Sequence, residues 1–334
     1  MSRTSEYHSI DRMSYSRVAL YNKDRIKYYK RYILKEEEND DNVDIRMGNL
    51  VDALKTDEEN FNNNFLITKA NKPTGQLLTF TQLMFKYRNE EISEVELLSK
   101  CYEILKEENG GKLQKLLGTF ITNFENEARE YYNELISSEG KTIITQEEYD
   151  LAKEIVKKID ECKAFKQKGE IFSKFVIFFK YNGIDHKSEI DEFIIDHDNK
   201  IIYPFDYKCT NFVETFEWDC FLKRNYYIQS SLYKYALQIW AKESYPGYKV
   251  ENMAFKVVDV TNTYSPLLYK TTDAHFQQGF TGFYVGNKYY KGIDQLLTEI
   301  ELSTENNNWG ISNYNYNNNG IVFISTYKTE KEAN

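Results

Sequence analysis

The sequence predicts an α/β (α+β) fold in which a helical N-terminal region precedes a central mixed β-sheet flanked by helices. Two patterns support this prediction. From Thr81 to Cys162 the apolar residues recur every three or four positions, which is typical of helices that bury one face. From 171 to 208 the chain instead shows short β-rich runs, separated by the turn-like segments NGID and DHDN. Helices followed by strands, a further helix and more strands indicate a layered core.

The N-terminal half is expected to be mainly helical. Residues 14–34 carry mixed charges among tyrosines and predict one or two helices, and Met47–Leu54 begins another helix after an acidic loop. In the stretch that follows, the helical spacing is clearest at Leu113, Leu116, Leu117, Phe120, Ile121 and Phe124, and again at Tyr149, Ala152, Ile155, Val156 and Ile159.

The second half supplies the sheet. Its elements are three strands, an amphipathic helix, two strands and a last helix, predicted at Ile171–Tyr181, Lys187–Asp196, Lys200–Lys208, about Phe221–Glu243, near Val250–Val260 and Pro266–Thr271, and about Asp273–Ile300. An Asn-rich stretch, 306–319, is expected to be a surface loop before a last short strand, GIVFISTY. We predict one domain, 1–334, with a mainly helical part (1–163), a core (164–300) and a C-terminal part (301–334).

Composition limits the class of protein. The chain has 43 basic and 52 acidic residues, a net charge of -9, which argues against a histone-like polyanion binder. An enzyme that acts on nucleic acid is still allowed, because it needs only a local basic path. No apolar run approaches the roughly 18 residues of a membrane span, the N-terminus lacks a secretory pattern, and the four cysteines show no disulfide spacing. We expect a cytoplasmic protein that does not enter a membrane.

The third predicted strand ends in a pair of groups suited to catalysis. Asp206 and Lys208 project from the same face, because side chains alternate along a strand. A carboxylate that holds a divalent cation, beside an ammonium that orients water, suits metal-assisted hydrolysis. The Asp/Glu-x-Lys pattern occurs five times in the chain, but only at Asp206 does it end an apolar strand that follows another acid one strand earlier.

That earlier acid is Asp191, although Glu189 on the same face and Glu192 on the other are competing candidates. Antiparallel pairing through the DHDN turn could bring Asp191 and Asp206 within reach of a shared cation. Glu170, before the first strand, is the natural third acid, since Mg²⁺ and Mn²⁺ prefer hard oxygen ligands. A Mg²⁺ or Mn²⁺ site, with one or two ions, is therefore expected.

Gln229 and Tyr233 lie four residues apart and so share one face of the helix that follows. Alone, such a pair is usually ordinary helix surface. Together with the preceding acids it completes an ordered set: an acid, Asp, Asp-x-Lys, then Gln-x-x-x-Tyr. This order resembles the PD-(D/E)XK nuclease superfamily, in the branch that contains the RecB nuclease domain, lambda exonuclease and exonuclease VIII.

The resemblance implies a restriction-endonuclease-like core, with 164–300 as its catalytic part. It implies metal ligands at Glu170, Asp191 and Asp206, a catalytic lysine at Lys208, and Gln229 and Tyr233 as active-site residues that contact DNA or brace the ligands.

Two N-terminal features extend the resemblance. The opening Tyr7-His8-Ser9-Ile10 looks like the start of exonuclease VIII-type phage proteins, and Met47–Leu54 is similar to their Gly-x-x-x-His-x-Leu helix. Asp52 stands where many relatives have a metal-binding His. An aspartate is also a hard ligand, so Asp52 is a candidate metal ligand, and an exposed acid beside the helix stripe is the alternative.

The resemblance implies a metal-dependent deoxyribonuclease, an exonuclease that degrades linear double-stranded DNA from its ends in phage-type recombination or replication. A single-strand annealing protein would be the natural partner, and several subunits could ring the DNA. Basic side chains at Lys223, Arg224 and Arg17 are candidate DNA contacts. Neither the cysteine trio of an iron–sulfur cluster nor a nucleotide-binding Walker motif is present, so neither cofactor is expected. An endonuclease, or a non-catalytic protein that binds DNA ends or a replication complex, is the alternative.

Overall fold

The computed structural model describes residues 7, 9–36, 43–56, 58–113 and 115–322. His8 and most of the predicted last strand lie outside these residues, and 320–322 have no regular secondary structure. None of the described helices is long and apolar enough to cross a membrane.

The N-terminal part is mainly helical, as predicted. Its helices and two short strands are α1 (Tyr15–Lys23), α2 (Arg25–Tyr28), α3 (Val43–Thr56), α4 (Glu58–Asn64), β1 (Phe65–Ile67), α5 (Gly75–Tyr87), α6 (Glu94–Glu108), α7 (Leu117–Asn123), α8 (Arg129–Ser137), β2 (Thr142–Ile144) and α9 (Gln146–Glu161). Short π-helical turns follow α2 and α7, at Tyr29–Ile33 and Phe124–Ala128.

The second half forms the predicted sheet. Its elements are β3 (Glu170–Tyr181), β4 (Ile184–Asp196), β5 (Ile201–Cys209), α10 (Tyr226–Ser244), β6 (Lys249–Val250), β7 (Ala254–Val258), β8 (Leu267–Lys270), α11 (Asp273–Thr281), β9 (Phe283–Val285), β10 (Lys288–Tyr290), α12 (Ile293–Glu305) and α13 (Asn313–Asn317). The strand order β3-β4-β5-β7-β8, with β6 also on β5, is mixed, because β5 runs parallel to β6 and β7 while the other pairs are antiparallel.

Two turns fix the register of the first three strands. Asn182 and Gly183 both have positive φ, 48° and 77°, which is the two-residue hairpin geometry that Asn-Gly favours. Tyr181 therefore pairs with Ile184, and the ladder continues to Glu170 opposite Ile195. At the next turn the Asp196 carboxylate accepts hydrogen bonds from the backbone N–H and the side chain of Asn199, and Asp196 pairs with Ile201.

Helices cover both faces of the sheet. On one face α10 and the C-terminal helices pack on the strands around fully buried side chains, among them Ile190, Phe193, Ile202 and Leu232. On the other, α3 and α9 pack together through Leu50, Val51, Ala152, Ile155 and Ile159, against Val258 of β7. A separate core holds α5 to α8 together through Phe80, Met84, Cys101, Leu105, Phe120 and Phe124.

The two ends of the described chain meet. In α1, the Tyr21 hydroxyl donates to the Glu299 carbonyl at 3.0 Å and lies 2.8 Å from the Ser303 hydroxyl of α12. Trp309, in the Asn-rich stretch, is buried and stacks on Tyr28 and Tyr29. The expected surface loop is thus partly wrong, because this stretch contains α13 and an aromatic anchor.

The predicted helix over about 273–300 is also wrong, since the segment forms α11, the β9–β10 hairpin and α12. Gly282 ends α11 with φ of +81°, and its N–H donates to Gln278. The hairpin turns at Gly286, with φ of +57°, followed by Asn287. Gly-Asn between two aromatic runs is a hairpin signal that the sequence carries and that we missed.

Candidate active site

The candidate site is a row of charged residues across β3, β4 and β5. Since Glu192 pairs with Phe205, the next position places Asp191 opposite Asp206 on the face that α10 covers. Asp191 Oδ2 accepts a hydrogen bond from the Tyr207 N–H at 3.0 Å, which holds the carboxylate against β5. The structure therefore brings Asp191 and Asp206 together, as the hairpin predicted.

Asp206 is the most enclosed member of the row. Only 1% of its surface is exposed. Lys208 Nζ lies 2.5 Å from Asp206 Oδ2, and the Gln229 side-chain amide donates to Asp206 Oδ1 at 2.7 Å. The Lys208 ammonium also lies 4.5 Å from the centre of the Tyr226 ring. Strand β5 and helix α10 thus position the acid, the lysine and the glutamine as one unit.

Tyr233 follows Gln229 by one helical turn and faces the same carboxylates. Burial of its hydroxyl raises the pKa of Tyr233, and the negative charges of Asp206 and Asp191 raise it further. The hydroxyl therefore stays protonated beside the acids. Tyr15 of α1 closes the start of α10, because its hydroxyl donates to the Arg224 carbonyl at 2.6 Å.

Helix α3, which packs on the opposite face of the sheet, brings a third carboxylate, Asp52, into contact with Lys174 of the row. Its neighbours Leu50 and Val51 are buried against α9, which fixes the helix beside the ends of the strands. Asp52 Oδ1 lies 2.7 Å from the Nζ atom of Lys174. The same ammonium lies 2.8 Å from Asp191 Oδ1. The Lys174 ammonium therefore bridges helix α3 and the sheet.

Lys174 is the site residue that sequence reasoning missed. It falls opposite Asp191 in register, between the pairs Ser173–Glu192 and Phe175–Ile190. The signal was available, because counting back from the Asn-Gly turn places position 174 across from 191. The apolar run of β3 by itself predicts only a core strand, and Lys174 becomes apparent only when the register is counted from the turn.

The pKa values in the row follow from burial and from charge. Burial raises the pKa of Asp206 to about 7, although the Lys208 ammonium opposes this effect. Burial also raises the pKa of Asp52, opposed by Lys174. For Asp191, burial is outweighed by the Lys174 and Lys208 ammonium groups, which lower its pKa. Burial favours neutral lysines, but the adjacent carboxylates raise the pKa of both Lys174 and Lys208, so both remain charged.

The residues present fit a hard divalent cation. Asp52, Asp191 and Asp206 offer carboxylate oxygens, the ligand type that Mg²⁺ and Mn²⁺ prefer, and two of these oxygens already converge on a cationic nitrogen. Among the described residues, no group of three or more His, Cys, Asp or Glu side chains forms a ready-made metal cage. Water would therefore complete the coordination shell, as is usual for Mg²⁺.

Glu170 does not join the row, which corrects its predicted place. It begins β3 opposite Ile195, four residues from position 174, or about 13 Å along a strand. Its side chain is 53% exposed and lies 2.9 Å from His197 Nε2. The long first strand carries Glu170 to the far end of the hairpin, where it forms a surface contact.

The three basic residues that were predicted to contact DNA lie in different surroundings. The Arg17 guanidinium is mostly buried, pairs with Asp11 at 2.7 Å and stacks on Tyr32. Its charge is therefore neutralised within the protein. Lys223 is exposed and pairs with Asp219 at 2.5 Å. Arg224 is exposed next to the start of α10.

No family model and no curated protein matches the chain. A crystal structure from Eubacterium rectale, whose description reads "Putative exonuclease", is similar over 95% of this chain and 91% of that chain, with 11% identity and a TM-score of 0.47. A similarity of this size does not assign the chain to a family.

Proposed function

We propose that this protein is a metal-dependent deoxyribonuclease that hydrolyses phosphodiester bonds. One observation carries the proposal: Asp191 and Asp206 lie side by side on adjacent strands, with Lys208, Gln229 and Asp52 placed around them. A structural ion pair needs one acid and one base. Here three acids lie close to two lysines, and the one acid left without a matching base favours a bound cation.

In this proposal, Asp191 and Asp206 would hold Mg²⁺ or Mn²⁺, as one or two ions, with Asp52 at the edge of the same site. When bound, such an ion supplies Lewis-acid chemistry, lowering the pKa of a water and stabilising charge on the phosphoryl oxygens. Glu170 is left out of the ligand set because of its position. Water fills the remaining coordination positions.

Lys208 positions the attacking water or the scissile phosphate. Its ammonium is charged, and its contact with Asp206 Oδ2 places it at the edge of the carboxylate pair. The Tyr226 ring beneath it limits the directions in which the ammonium can move. A fixed positive charge at this point stabilises negative charge that develops on the phosphate in the transition state.

Gln229 and Tyr233 act as positioning residues. The Gln229 amide holds Asp206 Oδ1 and so fixes the rotamer of the carboxylate. Groups that orient a ligand in this way commonly change metal affinity or activity by about 10–100-fold when they are removed. Tyr233 keeps its proton and presents a hydroxyl to the same acids.

The finer features of the proposal come from the resemblance. The substrate is linear duplex DNA, degraded from its ends in phage-type recombination or replication. The partner is an annealing protein, and several subunits form a ring around the DNA. Lys223 and Arg224 are exposed where α10 begins and are the proposed contacts to the DNA backbone. An endonuclease with the same site is the alternative within this class.

A non-catalytic DNA-binding protein is the second candidate. It is favoured by one observation, namely that Lys174 already neutralises part of the charge of Asp52 and Asp191. A protein of this kind would keep the fold and bind DNA without needing a divalent ion.

The test compares linear and covalently closed circular duplex DNA, each incubated with Mg²⁺, Mn²⁺ or EDTA. Wild type is compared with Asp206→Ala and with the control Asp198→Asn. Asp198-Asn199-Lys200 is another Asp-x-Lys sequence on the same hairpin, but Asp198 is exposed and pairs with Lys168. We expect wild type and Asp198→Asn to shorten linear DNA, and Asp206→Ala to lose activity by roughly 10²–10³-fold or more.

Each outcome decides between the candidates. Cutting of closed circles would identify an endonuclease. DNA binding without cutting under either metal would identify the non-catalytic protein and overturn the proposed activity. Equal cutting by wild type and Asp206→Ala would show that the chemistry lies elsewhere.

A further inference from the structure

The backbone at Lys174 is strained for a lysine. Its φ is +50°, in the left-handed region that residues other than glycine rarely enter, although it lies in the middle of a 12-residue strand. The pairs on both sides, Ser173–Glu192 and Phe175–Ile190, keep a regular register. Such a conformation persists only where the surroundings hold it in place.

Two ion pairs hold Lys174. Its Nζ atom lies 2.7 Å from Asp52 Oδ1 and 2.8 Å from Asp191 Oδ1, and its side chain is mostly buried. These two carboxylates come from different elements, α3 and β4, so the ammonium lies where oxygen ligands from two directions converge. That is the environment of a bound cation.

We infer that the Lys174 ammonium occupies a divalent-cation position formed by Asp52 and Asp191, so that the chain binds one divalent ion fewer than its carboxylates could hold. The inference deepens the proposed function, since it concerns the number of ions at the same site.

The charges support this assignment. Lys208 is paired with Asp206 at one end of the row, and Lys174 is paired with Asp52 and Asp191 at the other. A divalent ion between Asp52 and Asp191 would lie within contact distance of the Lys174 ammonium, and two cations cannot share that space. Asp191 and Asp206 would hold the proposed catalytic ion, and the Lys174 ammonium would supply the second positive charge as part of the chain.

The experiment measures how many Mn²⁺ ions the full chain binds, by electron paramagnetic resonance of free Mn²⁺ and by equilibrium dialysis. Lys174→Met removes the charge and keeps the length of the side chain. Lys174→Arg keeps the charge. Lys180→Met removes an exposed lysine of the same strand, so it controls for the general loss of one positive charge.

We expect Lys174→Met to bind one more Mn²⁺ per chain than wild type, and Lys174→Arg and Lys180→Met to bind the wild-type number. Adding Asp52→Asn to Lys174→Met should remove the extra ion. If Lys174→Met does not fold, Lys174→Gly replaces it, because glycine adopts the left-handed backbone without strain.

Equal Mn²⁺ numbers for wild type and the folded neutral variant would overturn the inference, as would an extra ion in Lys180→Met. A change from one ion to two supports both the inference and a metal-dependent enzyme. A change from none to one supports the inference but overturns the metal-dependent activity of the natural chain. One ion in both proteins leaves the proposed function standing without the inference.

Discussion

Two buried pairs of a carboxylate and a lysine lie on opposite faces of the same sheet, and they differ in how completely their charges are balanced. On one face, Lys256 donates to the Glu192 carboxylate, the Tyr207 hydroxyl donates to the same carboxylate at 2.8 Å, and the Phe205 ring lies 4.2 Å from the ammonium. On the other face, Asp206 and Lys208 lie in contact with a larger group of charges.

The charges of the Glu192–Lys256 pair are balanced, because one acid contacts one base and one hydroxyl group; we call it the closed pair. Burial lowers the pKa of Lys256, and Glu192 opposes this effect. The Asp206–Lys208 pair instead belongs to a group of three carboxylates and two ammonium groups, which also contains Asp52, Asp191 and Lys174. An excess of one charge in a buried place is therefore a stronger indication of a functional site than a balanced buried ion pair.

The largest predicted effect concerns the closed pair. Lys256→Met leaves the Glu192 carboxylate buried without its cation, so we expect the free energy of unfolding to fall by about 3–5 kcal/mol. Activity per folded molecule should change little, because Lys256 does not touch the candidate site. Urea unfolding and initial rates of DNA degradation measure the two quantities.

Lys270 is exposed on the neighbouring strand β8, so Lys270→Met is the control. Its free energy of unfolding should stay within about 0.5 kcal/mol of wild type. Adding Glu192→Gln to Lys256→Met should restore part of the stability. A loss of activity in Lys256→Met without a loss of stability would contradict the division of the two faces into structural and functional.

A smaller effect is expected at Gln229, which holds the Asp206 carboxylate in place. Gln229→Met removes the amide that donates to Asp206 Oδ1, so the carboxylate is no longer held in one rotamer. We expect the dissociation constant for Mn²⁺ to rise by about 10–100-fold. Gln238→Met, on the same helix but away from the row, should bind Mn²⁺ like wild type. Unchanged Mn²⁺ affinity in Gln229→Met would remove Gln229 from the site.

The smallest effect is expected at Glu170. Its carboxylate is half-exposed and contacts only His197 among the described hydrogen bonds, so Glu170→Gln should change stability by less than about 1 kcal/mol. DNA degradation should stay within about twofold of wild type, since surface substitutions away from a site have small effects. A loss of activity as large as that of Asp206→Ala would restore Glu170 as a ligand.

Much of the sheet could be predicted from the sequence, because β-rich runs and turn residues mark strands locally. The same local signals identified the hairpin that joins Asp191 to Asp206. Glu170 was placed wrongly because nearness to the start of a strand says nothing about distance from the site. That distance follows from the register, which the Asn182-Gly183 turn sets.

Other features depend on contacts between distant parts of the chain. The burial of Trp309 against Tyr28 and Tyr29 joins segments about 280 residues apart, and no local pattern reveals it. The ion pair between Lys174 and Asp52 likewise joins a strand to the distant helix α3. The roles of the site residues in catalysis stay predictions.

The contacts between the N-terminal helices and the C-terminal part of the chain affect the order in which the protein folds during synthesis. Helix α1 leaves the ribosome early, yet its Tyr21 hydroxyl contacts Glu299 and Ser303 of α12, and Trp309 is synthesised later still. The same helix carries Tyr15, which closes the start of α10 beside Lys208. A nascent chain can therefore form the β3–β5 hairpins early but completes the surroundings of its candidate site only when the last helices have emerged.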